Sequence, residues 1–300
     1  MDEKIKAAVE ASFIADSLAL GVHWIYNTNV IDKKYGRVDR FLKPKLASFH
    51  RGKEAGEFTH YGDQTLVLLE SVAHRSKFEL EDFSHRWQSM FEGYTGYFDG
   101  ATKGTLENFS QGKPPTEAGS GSSDLGGAAR IAPLLLVHGK DARQLSETAR
   151  LQTAMTHNHP QVVQSADFFA RVVFSVLNGA SPVSAVREVG NNLPADDPLR
   201  EMIDDGLMST DQDSRTAISD FGQMCEIEAA FPATLHLIAR YEADFKSAMI
   251  ENVMAGGDSS ARGMLVGMVL GAWHGYDAVP GEWRTDLVQH DHILSLMDKV

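Results

Sequence analysis

Between residues 264 and 273 nearly every side chain is apolar or absent, and glycine recurs at Gly263, Gly267, Gly271 and Gly275, one every four residues. Residues four apart lie above one another on one face of an α-helix. A helix that is apolar all round is a buried one. Its glycine face gives up roughly 1 kcal/mol of helix propensity per position relative to alanine. Close approach of a second backbone is what offsets that loss. Ahead of this run stands Gly256-Gly257-Asp258-Ser259-Ser260-Ala261-Arg262. Asp258 and the serines suit a helix N-cap. A helix N-terminus, with unpaired N–H groups and partial positive charge, can hold an anion. The spacing therefore predicts a central buried helix with a candidate site at its start.

Elsewhere the pattern is also helical. Ile5, Val9 and Phe13 mark a first helix running to Leu20. Leu66, Leu69 and Val72 mark another that opens near Tyr61, and Phe83, Trp87, Met90, Phe91 and Tyr94 a third. Residues 27–63 read as a long irregular segment, and residues 110–127 as the most loop-like one. Shorter helices are expected over 100–113, 128–138 and 141–155. Val162, Ala166, Phe169, Val173 and Val176 give the cleanest stripe in the chain. A shorter helix is expected around Val183–Val189 and one within the acidic stretch 191–222. One more carries Leu235 to Met249, and a last one covers 292–297. No period-2 strand, repeat or alternating β-α pattern is found. The chain is expected to be all-α, residues 1–300 forming a single compact orthogonal multi-helix domain around the Gly-rich central helix.

With 300 residues, 43% of them apolar and 23% charged, such a domain buries a sizeable core. The single cysteine, Cys225, excludes an intrachain disulfide. The net charge of -13 argues against a nucleic-acid backbone or an anionic membrane as the main partner. No apolar run approaches the roughly 20 residues that span a bilayer. No signal peptide is legible at the N-terminus, so a cytoplasmic protein is expected.

Asp63 and Asp258 each follow glycine at the start of a predicted helix. Either could be a plain N-cap. Two such helix starts meeting in space would instead offer carboxylates to a hard cation such as Mg²⁺. The loop from Gly119 to Gly127 has phosphate-loop spacing at Gly121 and Gly126. However, Gly127 and Ala128 stand where the lysine and hydroxyl should be, so that reading fails. A flexible connector and a ligand-touching loop remain open. His157-x-His159 lacks the further ligands a zinc site needs. His290-x-His292 reads as a solvated pair and Cys225 as a small core residue.

Six segments taken in order resemble the ADP-ribosylglycohydrolase family, including its J1-crystallin-like branch. They are the twelve residues from Ala15 to Tyr26, Tyr61-Gly62-Asp63-Gln64, Asp99-Gly100-Ala101-Thr102-Lys103, Arg130-Ile131-Ala132-Pro133, Thr156-His157-Asn158-His159-Pro160 and Gly256-Gly257-Asp258. The resemblance implies a compact all-α fold. It implies hydrolysis of a glycosidic bond at ADP-ribose or a related nucleotide sugar, with two Mg²⁺ or Mn²⁺ ions between the two Asp-bearing segments. Asp63 and Asp258 become the implied catalytic residues, and Asp63, Asp258 and Ser259 the implied metal ligands. Ser122, Ser123, Asp124 and Gly126 of the loop, His157, His159, and the flanking Gly62, Gly257, Ser259, Ser260 and Arg262 become implied substrate contacts.

The departures from the family pattern carry an expectation of their own. Where the family has Thr-Asp-Asp-Thr this chain has Tyr61-Gly62-Asp63-Gln64, and for Gly-Gly-Asp-Thr-Asp-Thr it has Gly256-Gly257-Asp258-Ser259-Ser260-Ala261. Two of four aspartates remain. Two divalent ions held close repel strongly, and two carboxylates offset half their charge. One Mg²⁺ or Mn²⁺, or none, is expected rather than two. The alternative is a relative that binds ADP-ribose without cleaving it, or a crystallin-like structural protein.

Overall fold

The computed structural model describes residues 2–45 and 49–300. The described residues form helices joined by short turns, with no β-strand and two isolated bridges, at Ser120–His157 and Asp124–Glu226. The all-α expectation holds.

The helix Ser259–His274 lies at the centre, buried at every position from Ser259 to Ala272. It packs along the first helix, Glu3–Leu20, which is itself buried from Ala7 onward. The glycine stripe faces that partner. A Cβ on Gly267 would stand 2.5 Å from the carbonyl oxygen of Ala11, and one on Gly271 would stand 2.9 Å from that of Ala7. Ala7, Ala8, Ala11 and Ala15 present a matching small face, so two backbones meet with almost no side chain between them. Gly275 does not continue the stripe. It ends the helix at φ 72°, its N–H bonded to the Gly271 carbonyl, a conformation that suits glycine.

Around this pair wrap His60–Arg75, Pro160–Leu177, Ile227–Arg240 and Phe245–Met254, their apolar faces joined in one core. Several boundaries differ from the expected ones. The segment 27–63 contains a helix, Thr28–Tyr35, capped by Asn27. The acidic stretch holds two helices, Pro198–Met208 and Ser214–Phe221, each capped by an aspartate. The helix leading to Gly256 is two, Ile227–Arg240 and Phe245–Met254, broken at 241–244. The helix expected over 128–138 is three short turns around Pro133. Capping chemistry in polar sequence produced the extra helices, which a search for apolar stripes passes over.

A buried carboxyl cluster at the head of the central helix

Asp258 caps the central helix, accepting from the N–H of Ala261 at 3.2 Å, and is fully buried. The turn before it requires glycine. Gly256 and Gly257 have φ 71° and 66°, and a Cβ on Gly257 would lie 2.1 Å from the Gln223 carbonyl oxygen. Backbone bonds tie three other segments to this point. Trp24 N–H bonds to Gly257 O and Gly257 N–H to Ile25 O. Asp258 N–H bonds to Gln223 O, and Leu125 N–H to Cys225 O. These ladders bring His23, Asp124 and Cys225 beside Asp258.

Tyr61 donates to Asp124 Oδ2 at 2.7 Å and lies 3.3 Å from Asp258 Oδ2, so one hydroxyl bridges two carboxyls. Ligand atoms of Asp124, Cys225 and Asp258 all lie within 4.8 Å of one another. Burial and the neighbouring Asp258 charge push Asp124 up to about 7. Burial also acts on Asp258, but the hydrogen bond from His23, with the Arg262 charge and the Ala261 N–H, outweighs it and holds Asp258 below the ordinary carboxylate range. Of the pair, Asp124 is therefore the member that keeps a proton to the higher pH. Burial and both carboxyls hold the Cys225 thiol protonated.

His23 Nε2 lies 2.9 Å from Asp258 Oδ1, and His23 Nδ1 lies 2.7 Å from His50 Nε2. Burial depresses both imidazoles, leaving them neutral. An ionised carboxylate only accepts, so His23 Nε2 carries hydrogen, its Nδ1 accepts, and His50 Nε2 donates. A second buried knot adjoins the first. Asp16 accepts from Thr59 N–H at 2.8 Å and from the hydroxyls of Thr59 and Ser260 at 2.5 Å.

Asp63 lies elsewhere. Lys53 Nζ reaches both its oxygens, at 2.9 and 2.7 Å, and Tyr94 donates to it at 2.5 Å. Asp63 and Asp258 share no hydrogen-bond partner among the described residues. The expectation that they face one another fails for a helical reason. Tyr61 points at Asp258, and two residues later the helix has turned by about 200°. Asp124 stands where Asp63 was expected.

The remaining expected residues divide. The loop bearing Ser122, Ser123 and Asp124 is not a free connector. Ser120 N–H bonds to Thr156 O, Asn158 N–H to Ser120 O and Ile227 N–H to Ser123 O. Gly126 and Gly127 permit close approach of Tyr61 and His157, to which an added Cβ would come within 2.2 and 2.6 Å. His157 is buried next to Thr156 and Arg130, its pKa brought down to about 3 by burial and Arg130, and its Nε2 has no partner. His159 Nδ1 is likewise unpartnered. Gly62 lies against Asp16, leaving no room for a Cβ. Ser259 is buried with an unpartnered hydroxyl.

Four further assignments are revised. Arg262 is fully buried and donates to the carbonyls of Gly256 and Asn252, so it braces the glycine turn, while its Nη1 has no partner. Ser260, spent on Asp16, is structural too. Cys225 is half-buried beside the carboxyl pair and not a core residue. His290 is not merely solvated, since its Nδ1 lies 2.9 Å from buried Glu10.

The two ions implied by the resemblance do not fit this arrangement, because Asp63 is turned away and held by Lys53. The residues that could hold a single ion are Asp124 and Asp258, with Cys225 beside them. Mg²⁺ prefers oxygen ligands and keeps several waters, so two carboxylates are enough donors for it.

Outward from His23 an aromatic group surrounds this cluster. Trp24 stacks on His23 at 4.3 Å, and Phe49 and Tyr97 pack edge-on to Trp24 at 4.9 and 5.3 Å. Phe49 and Tyr26 remain largely exposed. No helix among the described residues is long and apolar enough to cross a membrane.

Comparison with known proteins agrees with this architecture. The chain is 26% identical over 319 residues to Crystallin J1A of Tripedalia cystophora, covering 99% of this chain and 98% of that protein. It is 21% identical over 280 residues to the human ADP-ribosylhydrolase ARH3, covering 78% and 76%. A solved structure described as an ADP-ribosylglycohydrolase-related protein complex superposes with a TM-score of 0.80 at 24% identity, over 99% of this chain and 96% of that one, which speaks for the fold. The ADP-ribosylglycohydrolase family model matches residues 1–300. The chain belongs to the ADP-ribosylglycohydrolase family.

Proposed function

We infer that the protein hydrolyses a glycosidic bond at ADP-ribose or a related nucleotide sugar, and that Asp124 and Asp258 are its working carboxyls. The observation that carries this reading is the meeting of two buried carboxyls beneath the one Tyr61 hydroxyl, with His23 bonded to Asp258 alone. Two carboxyls whose surroundings push them apart are suited to acid and base roles. Glycosidic cleavage passes through an oxocarbenium-like state and needs a protonated acid and an ionised partner. Asp124, the more exposed of the two at 8%, would protonate the leaving group. Asp258, oriented by His23, supplies negative charge to the developing cation and then accepts a proton from water.

The pinned loop at Ser122 and Ser123, with His157 and His159, supports contacts to ribose and pyrophosphate. The exposed faces of Phe49 and Tyr26 suit a planar base. Were one Mg²⁺ or Mn²⁺ bound, Asp124 and Asp258 would be the residues to hold it, and it would supply positive charge to ribose oxygens in place of acid catalysis by Asp124. Family membership supports an ADP-ribosylated substrate as the partner.

Asp258→Asn keeps a good N-cap and removes the charge. Turnover of ADP-ribosylated arginine and serine peptides should fall at least 100-fold with an unchanged circular dichroism spectrum. Unaltered turnover by the folded variant would remove Asp258 from the mechanism. A second reading, binding without cleavage, is favoured by the loss of two of the pattern's aspartates. Saturable ADP-ribose binding by calorimetry, with no hydrolysis in Mg²⁺, in Mn²⁺ or in EDTA, would select it.

A further inference from the structure

Asp63 belongs to the segment that resembles the family's first metal-binding motif, yet its two oxygens are filled from within the chain. Lys53 Nζ bridges both, at 2.9 and 2.7 Å, and Tyr94 adds a hydroxyl at 2.5 Å. The side chains of Lys53 and Asp63 are only 19% and 17% exposed. This is a bidentate, largely desolvated pair, unlike the surface ion pairs elsewhere in the chain. Lys53, Asp63 and Tyr94 share a cleft with Glu70 and Arg86, on a different side of the helix from Tyr61.

We propose that the Lys53 ammonium is a built-in replacement for a divalent cation at Asp63, so that this aspartate takes no metal ion. A cation coordinated by either Asp63 oxygen would sit within contact distance of Nζ, and the two positive charges would repel. The chemistry at the position is unchanged in kind. A carboxylate still orients a cation, but the cation is covalently part of the chain and carries a single charge. This matches the reduced acidity of the segment, in which Gly62 and Gln64 flank Asp63 where the family pattern has a second aspartate. Lys53 thus holds the start of the helix His60–Arg75, and with it Tyr61, without an exchangeable ion.

Mn²⁺ binding to the full chain, followed by the loss of the free-ion electron paramagnetic resonance signal, tests this without any assay of hydrolysis. Wild type and Asp63→Asn should bind Mn²⁺ alike, within twofold. Lys53→Met strands the carboxylate, so its Tm should fall and then recover with millimolar Mn²⁺. Lys53→Met/Asp63→Asn should show no such recovery. A tenfold or greater loss of Mn²⁺ affinity in Asp63→Asn would overturn the proposal, and so would a folded Lys53→Met whose Tm ignores divalent ions. Should Lys53→Met fail to fold, the comparison of wild type with Asp63→Asn decides alone. None of these outcomes depends on whether the Asp124–Asp258 pair is catalytic.

Discussion

Asp124 stores a pH dependence that a titration of stability will read. Its folded pKa, raised to about 7 by burial and by Asp258, lies above its ordinary value of 3.8. A carboxyl raised on folding contributes stability that is fully present below its unfolded pKa and lost as pH rises through the folded one. Stability should therefore decline between about pH 4 and 7 on account of this group. Asp124→Asn removes the ionisation while keeping an acceptor for the Gly126 N–H. Relative to wild type, its Tm should be more favourable at pH 8 than at pH 4.5. A Tm difference independent of pH would show that Asp124 does not keep a proton to the higher pH. In a hydrolysis assay the same substitution should lower turnover, and the residual rate should lack the descending limb near pH 7.

The pairing of the first and central helices depends on absent side chains. Gly267→Ala places a methyl 2.5 Å from the Ala11 carbonyl oxygen, where the nearest neighbour is backbone and cannot swing aside. Overpacking of this kind costs about 1–3 kcal/mol, and the gain in helix propensity, roughly 1 kcal/mol, offsets only part of it. The variant should unfold at lower denaturant concentration. Gly281→Ala, with open space around its Cβ position, should unfold at nearly the wild-type midpoint. Equal midpoints for the two variants would mean the helices can separate without loss. Because the central helix begins at Asp258, a shift along this interface should also disturb the Tyr61 bridge.

Across the whole molecule, the C-terminal segment is locked to the N-terminal half. Trp283 is buried and donates to the Asp39 carbonyl at 2.7 Å, while Arg284 and His290 both reach buried Glu10. Val288 N–H bonds to Gly56 O, and Lys6 pairs with Asp298. Trp283→Ala should cost about 3–5 kcal/mol. One apolar cluster joins residues from Ile5 to Met297, so the loss should lower a single cooperative transition, seen together by circular dichroism and tryptophan fluorescence. A separate early transition confined to the last residues would contradict one folding unit.

The sequence by itself determined the helical class, the buried central helix with its glycine face and the Gly-Gly-Asp start of that helix, because these follow from local periodicity and from capping preferences. It also singled out Asp258. It could not say which carboxyl meets Asp258. That partner comes from a segment over a hundred residues away, and whether Asp63 or Tyr61 points inward depends on the rotation of one helix about its axis. His50, Lys53 and Cys225 carried no legible motif for the same reason, and His23, though within the Ala15–Tyr26 segment, carried no legible role. Their roles arise from charges and hydrogen bonds between segments as far apart as His23 and Asp258, 235 residues along the chain. Only the packed tertiary structure could bring those segments within 3 Å and strip them of water.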